Sequence, residues 1–362
     1  MRTVAAVLYL LLVLAGRAAA AVPDHAVVFM YHRFGDDRYP STNITLDQFD
    51  AQLDYLSAHH YRVWPLDRIV RTLRKGGQLP DHTVALTIDD AYQSVYENAW
   101  PRLRARGWPF TVFVSTDAVD RHLPDFMSWK EMRQMAAGGA TFANHSSTHD
   151  YLVHRKADES DAAWRSRVKF DIEHAGKRLQ TELGGAVTAN PRLFAYPYGE
   201  YDEALAGLVR EMGFVAFGQE SGAIGPESDP RLMPRFPMAE HFAGMSQFIT
   251  KAQSLPLVVS KQQPWDPTDA RRHNPPELML TVTSPGADLD RLACYYKGRR
   301  MQIDWLDRAA GRFRIRATSP VPPPRDRYNC TAPNAQQRYY WFSHLWIPVP
   351  AVPDSRPSDT KD

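Results

Sequence analysis

The sequence is short of cysteine. Its 362 residues hold two, Cys294 and Cys330, both late in the chain, so neither a disulfide-dense framework nor a Cys-rich zinc cluster is open to it. It also lacks a charge bias. Lys and Arg total 43 against 41 Asp and Glu, a net +2, which supplies neither a nucleic-acid-binding surface nor a field for a polyacidic partner. No internal repeat recurs. The one long apolar stretch, "VAAVLYLLLVLAG" after Arg2, falls short of the ~20 residues a bilayer span needs. With the small residues of "RAAAAVP" following it, residues 1–20 read as a secretory signal peptide cut after Ala20, which leaves no stable membrane span. Export, to a periplasm or the medium, would let Cys294 and Cys330 pair as a disulfide; a zinc-binding pair is the rival reading. A last shortage is local. Asp89 and Asp90 close the apolar run "LTIDD", and no Lys or Arg follows in the next turn to neutralise them.

What is present is a rhythm. "AVVFMYHRFG" (26–35), "TVALTID", "PFTVFVST", "ATFANH", "RLFAYPYG" and "FVAFGQ" read as strands. Between most of them lie stretches with apolar residues at helical spacing, such as Leu46, Phe49, Leu53 and Leu56. "QSVYENAWPRLRARG" reads as one helix closed by Gly107, and a long amphipathic helix covers roughly 160–183. Alternation with short connections predicts a parallel α/β sheet, open or barrel-shaped, over 25–253. Residues 254–277, rich in proline and polar residues, read as a linker. Short β-like runs over 278–350 predict a small sandwich-like module, stapled by Cys294 and Cys330, in which the aromatics of "YYWF" (339–342) read as core, with stacking on sugar rings as the rival reading. The tail 351–362 has nothing to bury and reads as disordered.

In parallel α/β folds the chemistry gathers where strand C-termini meet loops. Three polar clusters fall there: Asp89 and Asp90, His145 and His149, and Tyr198 with Gly199. His145 and His149 are four apart in "NHSSTH"; on one helical turn both imidazoles would share a face and grip one cation. Two histidines and one aspartate make a three-ligand site with open positions, as a catalytic zinc needs. Neighbouring strand residues point to opposite faces, so Asp89 and Asp90 would divide the work, one on the metal and one as base to its water.

"LTIDDAY", "NHSSTH" and "RLFAYPYGEYD" resemble, in order and spacing, the first three motifs of the polysaccharide deacetylase family (NodB homology, carbohydrate esterase family 4). The resemblance covers about residues 25–250, and "VVFMYHRFG" is similar to the opening of the poly-N-acetylglucosamine deacetylase branch. It implies an α/β fold of the distorted (β/α) barrel kind, here followed by the small β module. It implies Asp89 as catalytic base and Asp90, His145 and His149 as ligands of Zn2+ or another divalent metal. Arg192 would orient the base, Pro197 would shape its loop, and Tyr198 would present its backbone N–H to the oxyanion. The substrate implied is an N-acetylated polysaccharide or oligosaccharide, releasing acetate.

Two departures stand out. Ile88 and Ala91 replace the aromatic and the glycine of the family's T-F-D-D-G, and Ala91 matters if the backbone there needs φ > 0. The family's late general-acid histidine has no clear match; His241 and His32 are the candidates, His32 also as a substrate contact. Arg235, in "RLMPRFPM", stands where a fourth motif falls and is a candidate substrate contact. Two rival functions remain: an idle carbohydrate-binding protein, and a deacetylase of a small molecule or an O-acetyl ester.

Overall fold

A computed structural model describes residues 24–348. The proposed signal peptide (1–20) and tail (351–362) lie outside the described residues. Within them, eight strands make one sheet: β1 (Val27–Tyr31), β2 (Arg62–Val63), β3 (Thr83–Asp89), β4 (Thr111–Val114), β5 (Thr141–Asn144), β6 (Arg192–Ala195), β7 (Phe214–Phe217) and β8 (Phe236–Pro237). The order is β8-β1-β3-β4-β5-β6-β7, with β2 on the first residues of β3. Every pairing is parallel. An isolated bridge between Phe217 and Met233 draws the ends of the sheet together, giving the distorted barrel. All seven residues of β3 are buried, as expected of a central parallel strand covered on both faces.

Helices pack outside, and their starts are written in the sequence. Thr45 with Gln48 makes a capping box for Leu46–Ala58, and Ser128 with Glu131 does the same for Trp129–Ala137. The helix read after Asp90 is broken. Val95–Ala99 is a π turn, followed by an α-helix at Trp100–Ala105. Pro101 lacks the N–H that would continue an unbroken ladder, so the chain resets one residue before it.

The C-terminal residues form two further sheets. One orders β9 (Leu255–Pro256), β17 (Tyr339–Trp346), β16 (Asp326–Pro333), β12 (Ala293–Tyr296) and β13 (Arg299–Arg300). The other orders β10 (Val259–Gln263), β11 (Glu277–Val282), β15 (Arg312–Arg316) and β14 (Ile303–Asp307). Their inner faces share one core, including Leu278, Leu280, Phe313, Tyr328 and Trp346. Cys294 and Cys330, paired across β12 and β16, are disulfide-bonded.

The stretch 254–277 is therefore not a free linker. Leu255 and Leu257 are core residues, β9 and β10 are sheet strands, and Trp265 packs on Tyr201 of the barrel. Its prolines signalled chain that cannot be helical, which edge strands tolerate equally well. Among the "YYWF" aromatics, Tyr340 is core, whereas Trp341 packs edge-on against Phe236 of the barrel.

Candidate active site

Asp89 is the last residue of β3 and Asp90 the first beyond it. Asp90 and Ala91 take φ of 72° and 58°, left-handed values that a side chain adopts at a cost. The turn undoes the expected strand alternation: instead of facing opposite ways, the two carboxylates meet one cluster of histidines. Ala91, fully buried, accepts the strain that a glycine would not feel, and its carbonyl is held by the Met127 N–H.

His145 and His149 follow β5, but not on a helix. Residues 145–150 are a loop in which Ser146 and His149 have φ of 66° and 57°. The loop is shaped by buried acceptors. Asn144 Oδ1 takes the Ser146 N–H, and the Asp171 carboxylate takes the N–H groups of Ser147 and Thr148 at 3.1 Å each. Asp171 sits on the buried stripe of the helix Asp161–Leu183, between Val168 and Ile172. An acid on an apolar stripe was a legible anomaly in the sequence, because a buried carboxylate requires partners.

The His145 Nδ1–H donates to the Ala195 carbonyl at 2.8 Å, which fixes the tautomer and leaves Nε2 as the lone-pair nitrogen. His145 Nε2 and His149 Nε2 stand 3.4 and 3.1 Å from Asp90 Oδ1. All three donor atoms lie within 4.8 Å of one another, the one such group among the described residues. Two imidazole nitrogens and one carboxylate oxygen, with one imidazole oriented from behind, fit a divalent transition metal with open positions.

Asp89 is gripped from another direction. Arg235 Nη1 and Nη2 donate to its two oxygens at 2.7 and 2.8 Å, and both side chains are fully buried. Arg235 Nε donates to the Gly218 carbonyl, fixing the guanidinium plane. Burial alone would raise the Asp89 carboxyl; Arg235 and the histidines outweigh it and hold the group below its ordinary value. His32 Nε2 is 4.0 Å from Asp89 Oδ2. Burial lowers its imidazole against the pull of Asp89 and Asp90, which suits a group that gains and gives up a proton in turn.

Tyr198, with φ of 59°, lies in the turn Pro197–Gly199 after β6. Its ring meets His149 edge-on at 4.5 Å and stacks on Tyr151 at 3.9 Å. Asp89, Asp90, His145, His149, Tyr198, His32 and Arg235 thus come together.

Two expected residues do not join them. Arg192 opens β6 at the far end of that strand, exposed, donating to the Met212 carbonyl and lying over Phe214. The position beside Asp89 belongs to Arg235, 146 residues away in sequence. His241 has a side chain 68% exposed and stands against Glu240 and Phe242, whereas His32 occupies the place beside Asp89. Side-chain direction on a short strand and the packing of β8 decide both matters, and neither is written in local sequence.

Residues 76–217 match the family model for polysaccharide deacetylase. Over these residues the chain is similar to polysaccharide deacetylases. A poly-beta-1,6-N-acetyl-D-glucosamine N-deacetylase of Staphylococcus aureus (strain MSSA476) is 25% identical over 213 residues, 57% of this chain and 71% of that protein. The enzyme of the same name from Escherichia coli (strain K12) is 27% identical over 261 residues, 61% of this chain but 37% of that protein. Among solved structures, IcaB from Ammonifex degensii aligns with a TM-score of 0.54 and 26% identity, covering 64% of this chain and 98% of that one. The deacetylase PplD of Streptococcus pyogenes aligns at 0.56 with 17% identity and shares the fold. Arg235 lies beyond the residues that the family model matches.

Proposed function

We propose that this chain is an exported, metal-dependent deacetylase that removes N-acetyl groups from a poly-N-acetylglucosamine-type polysaccharide and releases acetate. The observation that carries the reading is a fully buried carboxylate, Asp89, held by a two-pronged arginine beside a set of two histidines and one aspartate. The names of the Staphylococcus and Escherichia relatives support the substrate class. Export rests on the apolar segment after Arg2, and the Cys294–Cys330 disulfide supports it.

Asp90, His145 and His149 would hold the cation, zinc by the donor set; bound there, it would polarise the acetamide carbonyl and lower the pKa of a water. The residues of the chain do the rest. Asp89, kept anionic by Arg235, takes a proton as water adds to the carbonyl carbon. The Tyr198 N–H faces the developing oxyanion, a contribution of several kcal/mol when preorganised. His32, beside Asp89, relays the proton that Asp89 took to the nitrogen as the C–N bond breaks; amine and acetic acid leave, and the acid gives its remaining proton to the amine, so the products are an ammonium and acetate.

Acetate release from N-acetylglucosamine oligomers, O-acetyl esters and monomeric N-acetylglucosamine separates the readings. The proposal expects release from oligomers at the highest kcat/KM. Release confined to esters or monomers would replace the polymer with a small substrate. Oligomer binding without release from any substrate would leave a carbohydrate-binding protein.

A further inference from the structure

The β module reaches the loops around the active site through one strand. Arg325, immediately before β16, and Arg327, within it, are two apart and so project from the same face, toward the barrel. Arg325 Nη1 donates to Glu200 Oε1 at 2.7 Å; the Glu200 side chain is 1% exposed. Glu200 is two residues from Tyr198, on the turn that carries it. Arg327 Nη1 donates to the Gln219 carbonyl at 2.7 Å.

Gln219 is the floor of that same turn. Gly199, at φ of 69°, leaves no room for a side chain, since a Cβ there would stand 2.6 Å from Gln219 Cγ. Gln219 is flanked by Gly218, whose carbonyl takes Arg235 Nε, and by Glu220, whose carbonyl takes the Arg235 backbone N–H. Trp341 of β17 packs on Phe236, next to Arg235. Each loop that shapes the chemistry, 197–200 beneath Tyr198 and 218–220 behind Arg235, therefore has its own arginine from the module.

We infer that Arg325 and Arg327 are positioning residues, through which the C-terminal β module holds the Tyr198 turn and the Arg235 clamp in their working geometry. IcaB of Ammonifex degensii is covered over 98% of its length by 64% of this chain, so about a third of this chain has no counterpart in that structure. Here the module is part of the active-site scaffold. The inference rests on the reading that the site deacetylates a polymer, but its physical half does not.

The test uses the full chain and the variants Arg325→Met, Arg325→Lys and Arg327→Met, with two readouts. Amide hydrogen exchange over 196–203 and 217–222 should quicken at least about tenfold in the two methionine variants, with the rest of the barrel unchanged. In the zinc-loaded enzyme, Arg325→Met should lower kcat on N-acetylglucosamine oligomers by about ten- to a hundredfold with KM within about twofold, and Arg325→Lys should recover most of it. Unchanged exchange in both loops overturns the inference, and so does faster exchange spread evenly over the barrel, which marks a purely structural role. If the wild type releases no acetate from any polymer, the proposed function fails and the exchange pattern alone decides this one.

Discussion

Arg235 is the residue on which the geometry turns. It shares its charge with a carboxylate that has no access to water, and removing one partner of such a pair costs about 3–5 kcal/mol. Arg235→Met should destabilise by that amount in a denaturant titration, and the acid limb of its pH–rate profile should move upward. The direction follows from linkage: Asp89 sits below its ordinary value of 3.8 in the fold, so its contribution is complete above that pH and is lost only as pH falls through the depressed value. Without Arg235, burial prevails and the carboxyl is protonated at higher pH.

Glu220 gives the opposite sign. Burial pushes its carboxyl up from 4.5 to about 7, with Arg327 and Tyr201 opposing only in part. A raised folded value means stability that is full below 4.5 and falls as pH rises through about 7, by about 3 kcal/mol at most. Thermal melts at pH 5 and pH 8 should show Glu220→Gln with the smaller pH dependence of the two proteins; equal dependence would place the titration elsewhere.

Among the elements, the loop 145–150 shows best what the sequence carried and what it did not. The spacing of His145 and His149 gave the donor pair, because the ligand types and their proximity are local facts. The helix assumed for them was wrong, because Ser146 and His149 are left-handed and the loop takes its shape from Asn144 and Asp171. Asp171 comes from the distant helix Asp161–Leu183, whose period marks it as a buried acid but does not say which loop it holds. We expect Asp171→Ala to weaken zinc binding about 10- to 100-fold in a competition titration with a chromogenic chelator, while the far-ultraviolet circular dichroism stays unchanged. The strands of the barrel were legible for the same kind of reason. A fully buried parallel strand must be an apolar run, as β3 is. The segment 254–277 was misread because proline and polar residues mark an edge strand and a linker alike.

In the whole molecule, the parallel α/β layout could be argued from alternation, and the pairing of Cys294 with Cys330 from their number. The docking of the β module could not. Arg325, Arg327 and Trp341 meet residues more than a hundred positions away, and nothing in their neighbourhoods marks them. Five of the twelve left-handed non-glycine residues among the described residues cluster at the mouth of the barrel: Asp90, Ala91, Ser146, His149 and Tyr198. Five left-handed residues around one cluster are what a preorganised site looks like when the rest of the fold holds it.

The central claim is that Asp90, His145 and His149 hold the metal while Asp89, behind its arginine, moves the proton. The direct measurement is acetate release from N-acetylglucosamine oligomers by wild type and Asp89→Asn, with zinc affinity measured on the same samples. The account predicts a loss of at least about a thousandfold in kcat, within the range a general base and its coupled groups supply, with zinc affinity unchanged. Acetate release by Asp89→Asn at the wild-type rate would contradict it.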